Sequence, residues 1–116
     1  MIQLRESGII LFCENYERVL NFYTQKIGLP IREQKSNLAV LDFGGSYLMI
    51  EDNGTASTTP KTRAQNPTVI RFNVNDFEDT ILELLNRGVN VDVRSFNWGK
   101  IGVIIDPEGN RIEIKD

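Results

Sequence analysis

The sequence contains no histidine, and this absence excludes several kinds of chemistry. A serine or cysteine nucleophile that depends on a histidine base has no such base here. A zinc site built on imidazole is excluded for the same reason. Carboxylates, basic side chains, aromatic rings and one cysteine are the groups that remain.

Cysteine, long apolar segments and positive charge are also scarce. The single Cys13 cannot form a disulfide within the chain. It shares a predicted strand face with Ile9 and Leu11, and these apolar neighbours favour a buried, inert thiol over a nucleophile. No apolar run approaches the roughly 20 residues that a membrane-spanning helix needs. Thirteen Lys and Arg against sixteen Asp and Glu give a net charge of -3, so we expect neither nucleic acid nor membrane as a partner. Because the N-terminus lacks a secretory pattern, we predict a cytoplasmic protein.

Two segments repeat the same pattern 61 residues apart. Each begins with an alternating strand, continues into a helix capped by Asn15 or Asp76, and reaches the glycine that ends the helix, Gly28 or Gly88. The predicted apolar stripes are Tyr16, Val19, Leu20, Tyr23 and Ile27 in the first helix and Phe77, Ile81, Leu84 and Leu85 in the second. Three predicted strands follow each helix, at 29–34, 38–43 and 47–51 and at 89–94, 100–105 and 111–115.

This repeat predicts an α+β fold of two tandem βαβββ modules, residues 1–51 and 68–116, joined by a linker over residues 52–67. The linker is polar and aperiodic, so we interpret it as a connector, with a lid over a ligand as the alternative. A module of about 60 residues is marginal alone, so residues 1–116 are predicted to form a single domain. We expect a curved eight-stranded mixed sheet that carries its helices on one face and leaves a concave trough on the other.

Several motifs resemble a known superfamily. They are NYERVLNFY at residues 15–23, IGLP at 27–30, WG at 98–99 and DPEGNRIEI at 106–114. In these motifs the chain resembles the vicinal oxygen chelate superfamily, which includes glyoxalase I, extradiol dioxygenases, and fosfomycin- and bleomycin-resistance proteins. The two modules together cover nearly the whole chain, and the resemblance implies the glyoxalase/bleomycin resistance/dioxygenase fold. Because this superfamily hosts several chemistries, the resemblance does not by itself define a function.

The resemblance also implies where a metal would bind. Enzymes of the superfamily hold a divalent metal with four residues, one from the first and one from the last strand of each module. Those positions are Gly8, Met49, Val69 and Glu113 here, so one carboxylate is present where four ligands are expected. A shifted register adds Glu51, which still falls short of the three or more donors of a transition-metal site. We therefore predict no metal and no other cofactor; Glu51 and Glu113 as a weak cation site or as general base and acid stay open.

The trough lining follows from strand parity. For Glu113 the favoured role is an ion pair near Arg71 and Arg111, because an unpaired buried charge costs several kcal/mol. Trp98 is the best candidate for stacking on a flat ligand ring, with Phe96, Phe12 and Tyr47 next; a loop aromatic that caps the core is the alternative reading of Trp98. The predicted ligand-binding residues are Phe12, Tyr47, Met49, Glu51, Arg71, Phe96, Trp98, Arg111 and Glu113.

Without the metal ligands, the chain is most similar in character to the bleomycin-resistance group. Members of that group are small, acidic, cytoplasmic homodimers that sequester a cationic drug. This implies metal-independent small-molecule binding, with antibiotic resistance as its outcome. Uncovered sheet edges also favour a homodimer. Two alternatives stay open: a glyoxalase-type lyase or isomerase with an atypical metal site, and a ligand-binding accessory module without catalysis. Enzymatic activity is left undecided, although the missing ligands favour a binding protein.

Overall fold

Two four-stranded sheets, each with one helical segment, form the computed structural model, which describes residues 1–116. The first unit, Met1–Ala56, contains β1 (Gly8–Cys13), α1 (Tyr16–Asn21) with a π-helical continuation (Phe22–Ile27), β2 (Ile31–Gln34), β3 (Leu38–Asp42) and β4 (Tyr47–Asp52). The second unit, Ser57–Asp116, contains β5 (Ile70–Asn73), α2 (Phe77–Asn86), β6 (Asp92–Phe96), β7 (Gly99–Ile105) and β8 (Arg111–Lys115). Both units are βαβββ, so the predicted α+β fold is confirmed.

The two sheets have the same strand order, β1-β4-β3-β2 and β5-β8-β7-β6. The first strand of each unit pairs in parallel with the last, and the other pairs are antiparallel. All eight predicted strands are present, and they are divided between two open, mixed sheets of four. The largest shift in a boundary is at β6, which begins at Asp92. Val89 belongs instead to the end of the helix, where its backbone N–H donates to Leu84 O at 3.0 Å.

The first helix begins where the sequence predicts. Asn15 accepts a hydrogen bond from the backbone N–H of Arg18 at 3.2 Å, and the predicted stripe residues Tyr16, Val19, Leu20 and Tyr23 are buried, whereas Ile27 is only partly buried. From Phe22 onward the helix widens to a π-helix, which the sequence pattern does not predict. It ends at Gly28, whose φ of 97° places it in the left-handed region.

The second helix is capped by Asp76, which accepts from the backbone N–H of Asp79 at 3.0 Å. Phe77, Ile81 and Leu84 are buried as predicted. The prediction that Leu85 belongs to the same stripe is wrong, because its side chain is 49% exposed. Leu85 is turned by about 100° from Leu84, and this rotation carries it off the packed face. Neither helical segment is of a length and apolarity that would cross a membrane.

Successive side chains of each strand point to opposite faces of its sheet, and burial alternates with them along β3 and β4, whereas in β7 and β8 residues on both faces are buried. The face packed under the helix carries most of the apolar core, listed as Cys13, Ala39, Leu41, Leu48 and Ile50 in the first unit and Ile104, Ile112 and Ile114 in the second. The predicted burial of Cys13 is confirmed, and its thiol donates to Glu51 O at 3.3 Å. We call the opposite face of each sheet its open face, which presents Gly8, Ile10, Phe12, Tyr47, Met49 and Glu51 in the first unit and Arg71, Asn73, Arg111, Glu113 and Lys115 in the second.

The turn between β7 and β8 is a buried polar structure. Asp106 Oδ1 accepts from the backbone N–H groups of Glu108 and Asn110 at 2.9 Å, and its Oδ2 accepts from Asn110 Nδ2 at 2.9 Å. Gly109 adopts a φ of 92°, and a methyl group on it would lie 2.7 Å from Thr59 O. The DPEGN motif is therefore a turn whose side chains satisfy its own backbone.

The segment after the first unit packs on this turn. Ser57 N donates to Glu108 O at 3.0 Å and Lys61 N donates to Gly109 O at 2.8 Å. Asn110 Oδ1 accepts from Lys61 Nζ at 3.1 Å and from Asn66 Nδ2 at 2.8 Å. The boundary between the units thus falls inside the predicted linker, and residues 57–66 are bound to the second unit.

Candidate functional site

Three charged side chains meet on the open face of the second sheet. Arg71 on β5 lies beside Glu113 on β8, and Arg111 precedes Glu113 by two residues. Arg71 donates to Glu113 Oε1 from Nε at 3.0 Å and from Nη2 at 2.6 Å. Arg111 Nε donates to Glu113 Oε2 at 2.9 Å, with its Nη2 2.8 Å from the same oxygen. The predicted ion pair of Glu113 is confirmed, with both arginines at once; we call these residues the Arg–Glu–Arg cluster.

The cluster combines a buried carboxylate with two partly exposed arginine side chains. The side chain of Glu113 is 9% exposed, whereas those of Arg71 and Arg111 are 44% and 27% exposed. Burial alone would raise the pKa of Glu113, but the hydrogen bonds from Arg71 and Arg111 hold the pKa below its ordinary value of 4.5. Glu113 is therefore ionised at neutral pH, and two positive charges on one negative charge leave the cluster with an excess of one positive charge.

The donors of this cluster do not fit a divalent metal. Both oxygens of Glu113 are taken by guanidinium groups, whose charge repels a cation. The other positions that the resemblance assigns to metal ligands are Gly8, Met49 and Val69, which offer at most one thioether. No three Cys, Asp or Glu side chains come together elsewhere in the structure in a way that would hold a metal.

The predicted site residues of the first unit share the open face of its sheet. Phe12 on β1 lies beside Glu51 on β4, and Gly8 lies beside Tyr47. The ring of Tyr47 covers Gly8, because a methyl group at position 8 would lie 2.5 Å from three of its ring carbons. Tyr47 therefore fills the space in which a metal-ligating side chain at position 8 would begin.

Two aromatic rings stand at the end of the second sheet. Phe96 ends β6 and pairs with Gly99, so that Asn97 and Trp98 form a two-residue hairpin turn. The rings of Phe96 and Trp98 are stacked, with centroids 4.8 Å apart and planes 3° from parallel. About half of each side chain is exposed. We call these two rings the aromatic pair.

Lys115 links the aromatic pair to β8, and sequence reasoning did not include it among the site residues. Its Nζ lies 5.3 Å from the Trp98 ring centroid, within the range of a cation–π contact. The same Nζ donates to Asp116 Oδ1 at 2.7 Å, and this hydrogen bond lowers the pKa of Asp116. The available signal was strand parity, because Arg111, Glu113 and Lys115 are every second residue of one strand and therefore point to the same face.

Of the five predicted site residues of the second unit, Arg71, Arg111 and Glu113 share the open face, Phe96 ends the opposite edge strand β6, and Trp98 lies in the turn that follows it. Lys115, which contacts Trp98, is two residues beyond Glu113, and this step along a strand is about 7 Å. Strands β8 and β7 lie between Arg71 on β5 and Phe96 on β6, so about 14 Å of sheet separates these two residues, and the cluster and the aromatic pair are separate features of the sheet. The cluster supplies no proton donor for acid–base chemistry at neutral pH, because its one carboxyl group is ionised.

Comparisons with known proteins identify the fold family. The model of the Glyoxalase/Bleomycin resistance protein/Dioxygenase superfamily matches residues 7–114. No curated protein sequence matches the chain.

Solved structures resemble the chain over nearly its full length. A glyoxalase/bleomycin resistance protein/dioxygenase from Alicyclobacillus acidocaldarius has a TM-score of 0.77 at 18% identity, over 95% of this chain and 89% of that one. A glyoxalase family protein from Enterococcus faecalis has a TM-score of 0.72 at 20% identity, over 98% and 97% of the two chains. A virulence protein from Salmonella typhimurium has a TM-score of 0.67 at 23% identity, over 99% and 98%.

At these identities the solved structures establish the fold, and the family match runs from before β1 almost to the end of β8. The chain belongs to the glyoxalase/bleomycin resistance protein/dioxygenase superfamily.

Proposed function

We propose that the protein binds a small molecule without a metal ion and releases it unchanged. The observation that carries this proposal is the bonding of Glu113. It is the one carboxylate at the four positions that the superfamily resemblance assigns to metal ligands, and it accepts hydrogen bonds from Arg71 and Arg111. A metal would have to displace two arginines to reach it.

The aromatic pair supports binding of a flat ring. Phe96 and Trp98 already stack and remain about half exposed, so a ligand ring that extends the stack gains contact area without breaking an existing contact. The resemblance to the bleomycin-resistance group makes a bleomycin-type drug the first compound to test. Sequestration of such a drug in the cytoplasm, by a homodimer, is the finer form of this proposal.

Fluorescence gives a direct test, because Trp98 is the only tryptophan. We expect its emission to change when a bleomycin-type glycopeptide, an aromatic thiol conjugate or an aromatic hydroxy acid is bound. A compound that binds should also raise the melting temperature, since it stabilises only the folded state. Phe96→Leu should weaken binding several-fold, whereas Leu82→Ala, at an exposed position on α2, should leave it unchanged.

Two measurements separate binding from catalysis. Metal analysis of the purified protein should find no stoichiometric nickel, zinc or manganese, and a bound compound recovered from the protein should have its original mass. A stoichiometric metal whose removal abolishes binding would overturn the proposal in favour of a glyoxalase-type enzyme. Failure of the whole panel to change fluorescence and melting temperature would overturn the proposal in favour of an accessory module for some other small metabolite or a degenerate dimer with no ligand.

A further inference from the structure

We infer that the Arg–Glu–Arg cluster is an anion site, which binds a carboxylate or phosphate group of the ligand. The inference rests on the small-molecule binding of the proposed function and not on its finer form, because the group bound here is an anion, whereas the drug of the bleomycin-resistance group is cationic. It assigns Arg71 and Arg111 as the residues that contact the anion. Glu113 is a positioning residue that holds the two guanidinium groups side by side.

The internal repeat shows that the fold does not require this cluster. In the first unit, Ile10 lies beside Met49 as Arg71 lies beside Glu113. Tyr47 occupies the position equivalent to Arg111, two residues before Met49. The same pair of strands is thus built with three uncharged side chains in one unit and with three charged ones in the other.

A structural role does not explain the charged version. Bringing a carboxylate and two guanidinium groups out of water costs free energy, and apolar side chains of similar volume usually pack at least as favourably. The charged version is present in one copy only, and its exposed side chains are those of the two arginines. We interpret this difference between the two units as evidence that the cluster has a binding role.

The charge of the cluster determines what it binds. Arg32 in the first unit is a useful contrast, since it is paired with two carboxylates, Glu6 and Asp42, and has no positive charge to spare. In the Arg–Glu–Arg cluster, by contrast, two arginines share one carboxylate. Each of its guanidinium groups directs Nε and Nη2 toward Glu113, so Nη1 is left to bind an oxyanion.

The third cation on this face, Lys115, is close to the aromatic pair and carries no charge to spare. Lys115 Nζ, which contacts Trp98, is neutralised by Asp116, so the unbalanced charge is at the arginines. A two-residue strand step, about 7 Å, separates Glu113 from Lys115. Arg71 on β5 and Phe96 on β6 lie on opposite edges of the sheet, with β8 and β7 between them, so the ligand group that is assigned here is the oxyanion alone.

Calorimetric titration with matched naphthalene probes tests the inference. We expect 2-naphthoate and 2-naphthyl phosphate to bind at least about tenfold more tightly than the neutral 2-naphthamide, which stacks equally well but lacks charge. The stronger of the two anions identifies the preferred oxyanion. The preference should decrease as salt is raised, because the guanidinium groups are partly exposed.

The repeat itself supplies the variant. Arg71→Ile, Arg111→Tyr and Glu113→Met together copy the first unit into the second, and we expect this triple variant to fold with undiminished stability. It should bind 2-naphthoate no better than 2-naphthamide, with the affinity for the amide retained. Arg87→Gln, which removes a partly exposed arginine that caps α2 and pairs with Glu83, is the charge control and should preserve the preference.

The outcomes distinguish this inference from the proposed function. Equal binding of the acid and the amide by the natural protein overturns the anion site while small-molecule binding stands. Retention of the acid preference by the folded triple variant overturns it as well. If the triple variant does not fold, Arg71→Gln and Arg111→Gln each replace it, and an undiminished preference in both overturns the inference. Binding of none of the probes overturns the inference, and the wider panel then decides the proposed function.

Discussion

Glu113 is held from two sides by positive charge, and this connects the stability of the protein to pH. Its pKa in the folded protein is lower than the ordinary value of 4.5, despite burial, because Arg71 and Arg111 favour the charged form. A carboxylate with a lowered folded pKa stabilises the protein fully above its ordinary pKa. That stabilisation is lost as the pH falls through the folded pKa.

We therefore expect the free energy of unfolding in urea to decrease below pH 4.5. In Glu113→Gln this decrease should be smaller, because the titrating group is gone. The hydrogen bond from Lys115 also lowers the pKa of Asp116. Asp116→Asn is therefore the control, because it removes a second carboxyl group whose pKa is shifted in the same direction. Identical pH profiles for the natural protein and Glu113→Gln would contradict the prediction.

The covering of Gly8 by Tyr47 makes a second prediction at the residue scale. A methyl group at position 8 would lie 2.5 Å from the ring, so Gly8→Ala must displace Tyr47 and should cost about 1–2 kcal/mol of unfolding free energy. In a Tyr47→Ala background the same change should cost much less, because the ring is absent. A double-mutant cycle measures this coupling, and additive effects would show that the ring and position 8 do not compete.

At the scale of elements, the DPEGN turn shows how a local motif acquires a structural role. The carboxylate of Asp106 accepts hydrogen bonds from three donors, which belong to the buried residues Glu108 and Asn110. Residues 57–66 then attach to the carbonyl groups of Glu108 and Gly109 and to the side chain of Asn110. The turn thus joins β7, β8 and the preceding loop.

We expect Asp106→Ala to reduce the unfolding free energy by about 2–4 kcal/mol, because it leaves buried donors without an acceptor. Asp106→Asn keeps one oxygen and should cost less. The exposed Asp52, at the end of β4, provides the control: Asp52→Ala should change stability by no more than about 0.5 kcal/mol. Chemical denaturation measures all three, and equal effects of Asp106→Ala and Asp52→Ala would refute this role of the turn.

The elements also show where local patterns end. The caps Asn15 and Asp76 were predictable because a cap acts within three residues of itself. The π-helix that begins at Phe22 and the exposure of Leu85 were not predictable. Both depend on how the helix lies against its sheet, which periodicity alone does not specify.

At the scale of the whole molecule, assembly stays a prediction. Strands β2 and β6 are edge strands exposed at every residue, and charged side chains such as Arg32 and Asp92 hinder further pairing there. The edge strand β1 has no charged residue and exposes the apolar side chains Ile10 and Phe12. An apolar edge of this kind favours a partner.

We expect light scattering after gel filtration to give twice the chain mass of 13.2 kDa at about 10 μM. Phe12→Asp should shift the protein to a monomer with an unchanged circular dichroism spectrum, because it places charge on the apolar edge. Leu85→Asp, at an exposed position on α2, should remain a dimer. A single 13.2 kDa species for the natural protein would contradict the homodimer.

The sequence by itself determined the repeated βαβββ order, the helix caps, the parity of the strands and the loss of the metal ligands. Each of these depends on residue type and on spacing along a few neighbouring positions. Only the tertiary structure decided that both arginines bind Glu113, that Tyr47 covers Gly8 and that Lys115 joins Trp98. Arg71 is 42 residues from Glu113, and the parallel pairing of β5 with β8 brings them together. Such pairing is a long-range contact, because parallel strands must be joined by a crossover connection, and no local pattern specifies which side chains it will place side by side.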